Sequence, residues 1–215
     1  MITLHSEIST IGGWSTIYRI KGNPTRCAKV LAPHRAYRNG FPDPAMIARK
    51  KYGIKDMLKY ELDNHRKILA KVPQKMRNNF VTIHGIKNTS SGDRALVMDL
   101  VTDDTGKIAK NLDANTRPLN PGFFLTLERI RREVFLRHSL DHFGIACRNI
   151  LVRTPKSPVI IDFQNTRIRY RGQFWLRIPY FVRQKVTRKF QRVYNDLGVP
   201  DFTKVKSLQK IPNRD

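Results

Sequence analysis

Between His142 and Gln164, two short runs rich in β-branched residues flank a turn holding Pro155, Ser157 and Pro158. The runs are Asn149-Ile150-Leu151-Val152 and Val159-Ile160-Ile161-Asp162-Phe163. This pattern predicts a β-hairpin. The hairpin constrains the chain because it sets an amide entering the first strand and a carboxylate leaving the second, thirteen residues on, at matching ends of paired strands. Hard oxygen ligands on a rigid hairpin suit Mg²⁺, which takes one or two protein ligands, keeps waters and completes its shell with substrate phosphates. Asn149 and Asp162 are therefore candidate metal ligands. A plain buried hairpin whose Asn and Asp cap the strand ends is the alternative.

Upstream, residues 7–31 read as strand, turn, strand, strand. Ile8, Ile11, Ile17, Tyr18 and Ile20 surround Gly12-Gly13, and Lys21-Gly22-Asn23-Pro24 is a turn before Arg26-Cys27-Ala28-Lys29-Val30-Leu31. A strand lysine is ordinarily a solvated face residue, yet Lys29 follows two small residues inside an apolar run. Residues 33–53 are a Pro-rich basic loop, read as a solvated insertion. Over residues 54–72, Met57, Leu58, Leu62, Ile68, Leu69 and Val72 fall near one helical face, and Glu61 shares it. A carboxylate on an apolar face is costly unless it meets a cation. Residues 80–86 and 94–101 read as two strands around Ser90-Ser91-Gly92-Asp93, followed by the polar turn Asp103-Asp104-Thr105-Gly106-Lys107. Residues 123–140 predict an amphipathic helix with Phe123, Phe124, Leu127, Ile130, Val134 and Leu140 inward and Glu128, Arg129, Arg131 and Arg132 mostly outward. From Ile178 a last helix sets Val182, Val186, Phe190, Val193 and Leu197 on one face.

Charge narrows the partners. Lys and Arg number 41 against 17 Asp and Glu, a formal charge of +24, so the chain seeks a polyanion. Nucleic acid, an anionic membrane surface and a phosphorylated glycolipid all qualify, and the lack of a nucleic-acid-binding motif ranks nucleic acid last. The densest basic stretch, Arg167 to Arg192, has no acid before Asp196 and is interleaved with Tyr170, Phe174, Trp175, Tyr180, Phe181 and Phe190. Basic amphipathic helices with aromatics suit anionic membrane surfaces; an ordinary helix burying its apolar face is the alternative. The two cysteines, Cys27 and Cys147, lie far apart without metal-ligand spacing, which predicts a reduced, cytoplasmic protein. The start is unlike a signal peptide, and no apolar run approaches bilayer length, so any membrane association is expected to be peripheral, at the inner face.

Several of these parts resemble the protein kinase-like fold. In kinases the catalytic-loop Asn and the Asp of an Asp-Phe-Gly segment hold the Mg²⁺ ions that bridge the nucleotide phosphates. Asn149 and Asp162-Phe163-Gln164 take those places, with Gln164 in place of Gly. By the same resemblance Lys29 pairs with the α- and β-phosphates, and Glu61 is the helix carboxylate that fixes it. Thr10-Ile11-Gly12-Gly13-Trp14-Ser15-Thr16-Ile17 registers on the Gly-rich loop. Gly12 and Gly13 would then lie over the phosphates, with Ile17 roofing adenine; Thr10 and Ser15 replace two glycines. Met98 would line the back of the pocket, the backbone of Asp99 to Val101 would face adenine, and Asp103 would reach a ribose or remain a solvated turn. His142-Phe143-Gly144-Ile145-Ala146-Cys147-Arg148-Asn149 aligns on the catalytic loop, with Gly144 where the catalytic Asp stands. That Asp orients the attacking hydroxyl and accepts its proton, and glycine can do neither. Asp141 and His142 are the neighbouring candidates to replace it, although His142 has an alternative place packed beneath the loop.

The chain resembles the YrbL family, bacterial proteins named for the PhoP regulatory network and related to lipopolysaccharide core kinases. The more specific stretches are Lys59-Tyr60-Glu61-Leu62, Val97-Met98-Asp99-Leu100-Val101-Thr102-Asp103-Asp104-Thr105-Gly106-Lys107, Arg148-Asn149-Ile150-Leu151-Val152, and the basic aromatic segment after Asp162. The resemblance implies an α+β, two-lobed protein kinase-like fold. Residues 1–101 would form an N-terminal lobe with an antiparallel sheet and one helix, and 102–215 a truncated helical C-terminal lobe with a basic aromatic tail. It implies ATP and Mg²⁺ as cofactors. The chain would be a weak phosphotransferase acting on a hydroxyl of an anionic acceptor such as a lipopolysaccharide core sugar, or a pseudokinase. The alternative is a non-enzymatic regulator or adaptor docking on an anionic membrane or nucleic acid.

Overall fold

Turn chemistry sets the first layer. Lys21 and Gly22 close a two-residue turn with Gly22 at φ 73°, a left-handed conformation that costs glycine no steric penalty. On either side of it, β2 (Ser15–Ile20) and β3 (Asn23–Leu31) pair antiparallel. β1 (Leu4–Ser9) joins β2, while β4 (Ile83–Asn88) and β5 (Arg94–Asp99) form a second hairpin that adds to β3. The sheet order is β1-β2-β3-β5-β4, antiparallel throughout. The computed structural model describes residues 1–9, 15–31, 53–141, 144–163 and 178–199. Gly12, Gly13 and His142, nearly all of the basic loop, and the start of the basic aromatic stretch lie outside the described residues.

The described residues form a mixed α+β protein with an antiparallel N-terminal sheet and a few helices. The chain divides into two units, Met1–Lys67 with Val81–Val101, and Ile68–Phe80 with Thr102–Asp215. Among the described residues no helix is long and apolar enough to cross a membrane.

In the first unit, strand alternation sends Ile20, Ala28, Ala95 and Val97 to one face of the sheet. On the other face Leu96 meets Leu58 and Leu62 of α1 (Met57–Leu69), joined by Leu31, Ile83, Ile86 and Met98. Asp56 starts this helix. Its Oδ1 accepts the Lys59 backbone N–H at 3.0 Å, and its Oδ2 accepts Arg94 Nη1 at 2.7 Å. Burial opposes the charge, but these donors outweigh it and hold the Asp56 carboxyl below its ordinary range. α1 buries more polar surface than its apolar spacing predicts, since Asn64 and His65 are buried too. His65 Nε2 donates to the Val81 carbonyl at 2.8 Å, and burial lowers the imidazole pKa.

The strand expected at 80–86 begins later, at Ile83. Phe80 follows a 3₁₀ turn, Gln74–Asn79, and makes a parallel bridge to Ile160 in the second unit instead. α2 (Pro121–Ile130) opens with Asn120 accepting the Gly122 N–H and proline in its first turn. The continuous helix expected to 140 then gives way to a π-helical turn, Arg131–Leu136. The extra residue in a π turn shifts the helix face. Consecutive Val134 and Phe135 are both fully buried as a result, whereas Phe124 and Leu140 are only half-buried. Phe135 packs against Phe80 and Phe190, with ring centroids 6.4 and 5.9 Å apart. In α3 (Pro179–Asp196) Val182, Val186, Phe190, Val193 and Tyr194 are buried, and Leu197 beyond it is half-buried. Glu128 and Arg131, expected outward, instead pair with each other at 15% exposure and reach Tyr194 and Thr187 of α3.

Candidate functional site

β3 is the middle strand, and Lys29 lies opposite Ile17 of β2 and Leu96 of β5. Directly paired residues project to the same face of a sheet, so Lys29 shares the α1 side with Leu96. Glu61 meets it there, one helical turn from Leu58 and next to Leu62. Lys29 Nζ lies 3.0 Å from each carboxylate oxygen. The two side chains are 7% and 1% exposed. Taking two ions out of water costs several kcal/mol each, and an apolar pair of similar volume is often at least as stable. A buried ion pair in an apolar seam therefore argues for a use of the ammonium beyond packing.

The neighbouring residues of this unit have defined places. Ile17 is half-buried. Met98, opposite Cys27, lies two residues along β5 from Leu96 and packs with it against α1. Asp99 ends β5; its Oδ1 accepts His84 Nε2 at 2.6 Å, and its carbonyl accepts Cys27 Sγ at 3.7 Å. The N–H groups of Asp99 and Leu100 donate to the Thr82 and Thr25 carbonyls, which anchors the segment to its own sheet before the buried Val101. Burial pushes the Cys27 thiol up to about 12, with Asp99 adding to the shift and Lys29 opposing it.

In the second unit β6 (Ile150–Thr154) pairs antiparallel with β7 (Ser157–Ile160). The turn is shorter than the proline spacing predicts. Ser157 and Pro158 belong to β7, where Pro158 lies opposite Val152 and its carbonyl accepts Asn79 Nδ2 at 2.9 Å. At the other end the Ile161 N–H donates to the Asn149 carbonyl at 3.0 Å, which holds the approaches to Asn149 and Asp162 together. Asn149 closes a 3₁₀ turn, Cys147–Asn149, and is buried; its Nδ2 donates to the Gly144 carbonyl at 2.6 Å. With the amide nitrogen used in this way, Oδ1 is the atom Asn149 can offer a cation. Asp162 stands at φ 62°, ahead of a fully buried Phe163. Few non-glycine residues adopt a left-handed backbone, Asp among the more tolerant, and such strain concentrates at functional sites.

Three residues before Gly144, Asp141 Oδ2 lies 2.7 Å from Lys185 Nζ of α3, in a pair only 12% and 17% exposed. Its charge is thus already compensated. Gly144 contributes its carbonyl to Asn149 and nothing acidic. Asp103 Oδ1 accepts Thr105 N–H, Thr105 Oγ1–H and Lys107 N–H at 2.9, 2.7 and 3.0 Å, the donor pattern of an Asx turn. The Thr105 hydroxyl is the main cause holding the Asp103 carboxyl below its usual range. Arg117 grips Asp104 with two hydrogen bonds, at 2.6 and 3.0 Å, and lies 3.8 Å from Asp103. Asp103, Thr105 and Arg117 border a cleft of ≈ 340 Å³ lined also by Lys107, Lys110 and Asn115. Neither Arg117 nor Lys185 carries a local signal for its partner; only the Asp103-to-Thr105 spacing was readable as a turn.

Among the described residues no group of three or more His, Cys, Asp or Glu could hold a metal ion. An amide oxygen and a carboxylate from one hairpin end fit Mg²⁺, whose remaining ligands are waters and phosphates, and lack the nitrogen and sulfur donors usual for Zn²⁺. No protein-family model and no curated protein matches the chain.

Proposed function

We propose that the chain is a YrbL-like, protein kinase-like protein that binds ATP with Mg²⁺ and transfers phosphoryl groups slowly or, as a pseudokinase, only binds. The buried Lys29–Glu61 pair carries this reading. In protein kinases a lysine on the third strand is fixed by a glutamate of the following helix and meets the nucleotide phosphates. Here β3 holds the lysine and α1, the first described helix after it, holds the glutamate. Central placement of β3 in an antiparallel sheet supports the kinase-like reading. Asn149 Oδ1 and the Asp162 carboxylate would hold Mg²⁺, which when bound neutralises charge on the phosphates.

The chemistry of the loop limits the rate. Gly144 cannot take a proton, and Asp141 is bound to Lys185. Transfer must then rely on positioning and charge stabilisation, which supply most of the acceleration in phosphoryl transfer. A chain of charge +24 favours an anionic acceptor, and a hydroxyl of a phosphorylated sugar such as lipopolysaccharide core is the class this reading assigns.

Thermal unfolding with and without Mg²⁺-ATP tests the reading. Nucleotide at about 100 times its dissociation constant stabilises by about 2.7 kcal/mol, or roughly 5–11 °C for a chain of this size. Asp162→Asn suits the left-handed backbone yet removes a carboxylate, and should lose the Mg²⁺-dependent part of the shift; Lys29→Met should lose most of it. No shift in the wild type over a wide nucleotide range would overturn the reading and leave the regulator or adaptor. The glycine at the base position and the Asp141–Lys185 pair are the observations that favour this second reading.

A further inference from the structure

α3 leaves an apolar tip in solvent. Ile178, Tyr180 and Phe181 are 46%, 61% and 40% exposed, and apart from Met1 they are the exposed large hydrophobic side chains among the described residues. Single exposed apolar side chains are ordinary, whereas a cluster at one helix end is informative. The Tyr180 and Phe181 rings meet edge to face, with centroids 5.4 Å apart. The helix behind them carries five basic residues and one acid, Asp196 at its last position. Lys185 is held by Asp141, and Arg183 Nε donates to the Leu136 carbonyl. Arg188 and Arg192 are exposed, at seven and eleven residues from Phe181, the spacing of one helical face.

We infer that this face docks on an anionic lipid bilayer. Ile178, Tyr180 and Phe181 enter the boundary between headgroups and acyl chains, and Arg188 and Arg192 lie over acidic headgroups. Charge alone would fit any polyanion in water, but an exposed apolar tip of three side chains beside it favours a partner that also offers apolar surface. Aromatics at headgroup level with arginines behind them are the pattern of interfacial helices. Tyrosine suits the position because its ring is apolar and its hydroxyl stays wet. The inference does not depend on the nucleotide reading.

Co-sedimentation of the full chain with phosphatidylcholine vesicles, with and without phosphatidylglycerol, tests it. Binding is expected only when phosphatidylglycerol is present, and should weaken as salt rises. Arg188→Gln with Arg192→Gln should lower the partition by roughly 25-fold, about fivefold for each basic residue near such a surface. Tyr180→Ser with Phe181→Ser should lower it on the order of tenfold, with a cooperative unfolding transition retained well above the assay temperature. Equal binding to neutral vesicles, no binding to either, or wild-type binding by the aromatic variant would overturn the proposal. So would tight binding of a single-stranded oligonucleotide that the aromatic variant loses while vesicles stay unbound, since those rings would then be stacking on bases. Vesicle binding is read on the wild type without nucleotide, so that failure here and failure of the nucleotide site can be told apart.

Discussion

Replacing Glu61 with glutamine keeps the shape of the side chain and removes the charge facing Lys29 in a nearly dry seam. The lysine then has two courses. It can stay charged without its carboxylate, and breaking a buried pair in this way costs about 3–5 kcal/mol. Alternatively it can shed its proton, which at pH 7 costs about 4–5 kcal/mol against a free-lysine pKa of about 10.4. The courses are similar in size, so Glu61→Gln should lose about 3–5 kcal/mol, or roughly 6–20 °C of unfolding temperature. The second course has a pH signature. In the variant the unfolded chain binds the lysine proton more tightly than the folded one, so variant stability rises with pH below about 10.4. Between pH 7 and 9 the gap to wild type should close by about 2–3 kcal/mol. Urea unfolding at both pH values, with the slope held constant between proteins, measures this. Lys29→Met combined with Glu61→Leu should recover most of the loss, because an apolar pair suits the Leu58–Leu62–Leu96 surroundings. A loss under about 1 kcal/mol, or one that stays constant with pH while the double variant is no better, would refute the claim that a dry, mutually dependent ion pair holds this seam.

Two further outcomes follow from the described geometry. Asp162→Gly should be more stable than Asp162→Ala by about 1 kcal/mol, because both lose the carboxylate and only glycine takes the left-handed backbone without penalty, and both should abolish any Mg²⁺-dependent nucleotide effect; equal urea midpoints for the two variants would show that the backbone there is not strained. Burial pushes the Cys27 and Cys147 thiols each up to about 12, so iodoacetamide at pH 8 should leave the native protein unmodified and label both cysteines once urea has unfolded it, as read by mass spectrometry. The same shift sets an alkaline limit. A thiol raised in the folded state contributes fully below its unfolded value of about 8.5, and that contribution is lost as pH rises towards about 12.

Local spacing made much of the architecture legible. Alternation of β-branched residues around Pro155 marked the hairpin that puts Asn149 and Asp162 at one end, and a 3.6-residue period marked α1 and the buried face of α3. Glu61 could be singled out as misplaced because a carboxylate on an apolar stripe contradicts its surroundings; that its partner is Lys29, 32 residues earlier, was only an implication of resemblance until the 3.0 Å contact was seen. Other features had no local trace. Phe80 leaves the sheet to bridge Ile160, a π turn lets both Val134 and Phe135 point inward, and Lys185 reaches back 44 residues to Asp141. Periodicity in a sequence reports which side of an element must avoid water, because that depends on neighbours a few residues away. Which distant side chain an element meets, and which backbone conformation a junction such as Asp162 must adopt, depends on how all the elements fill space together, and only the folded chain determines it.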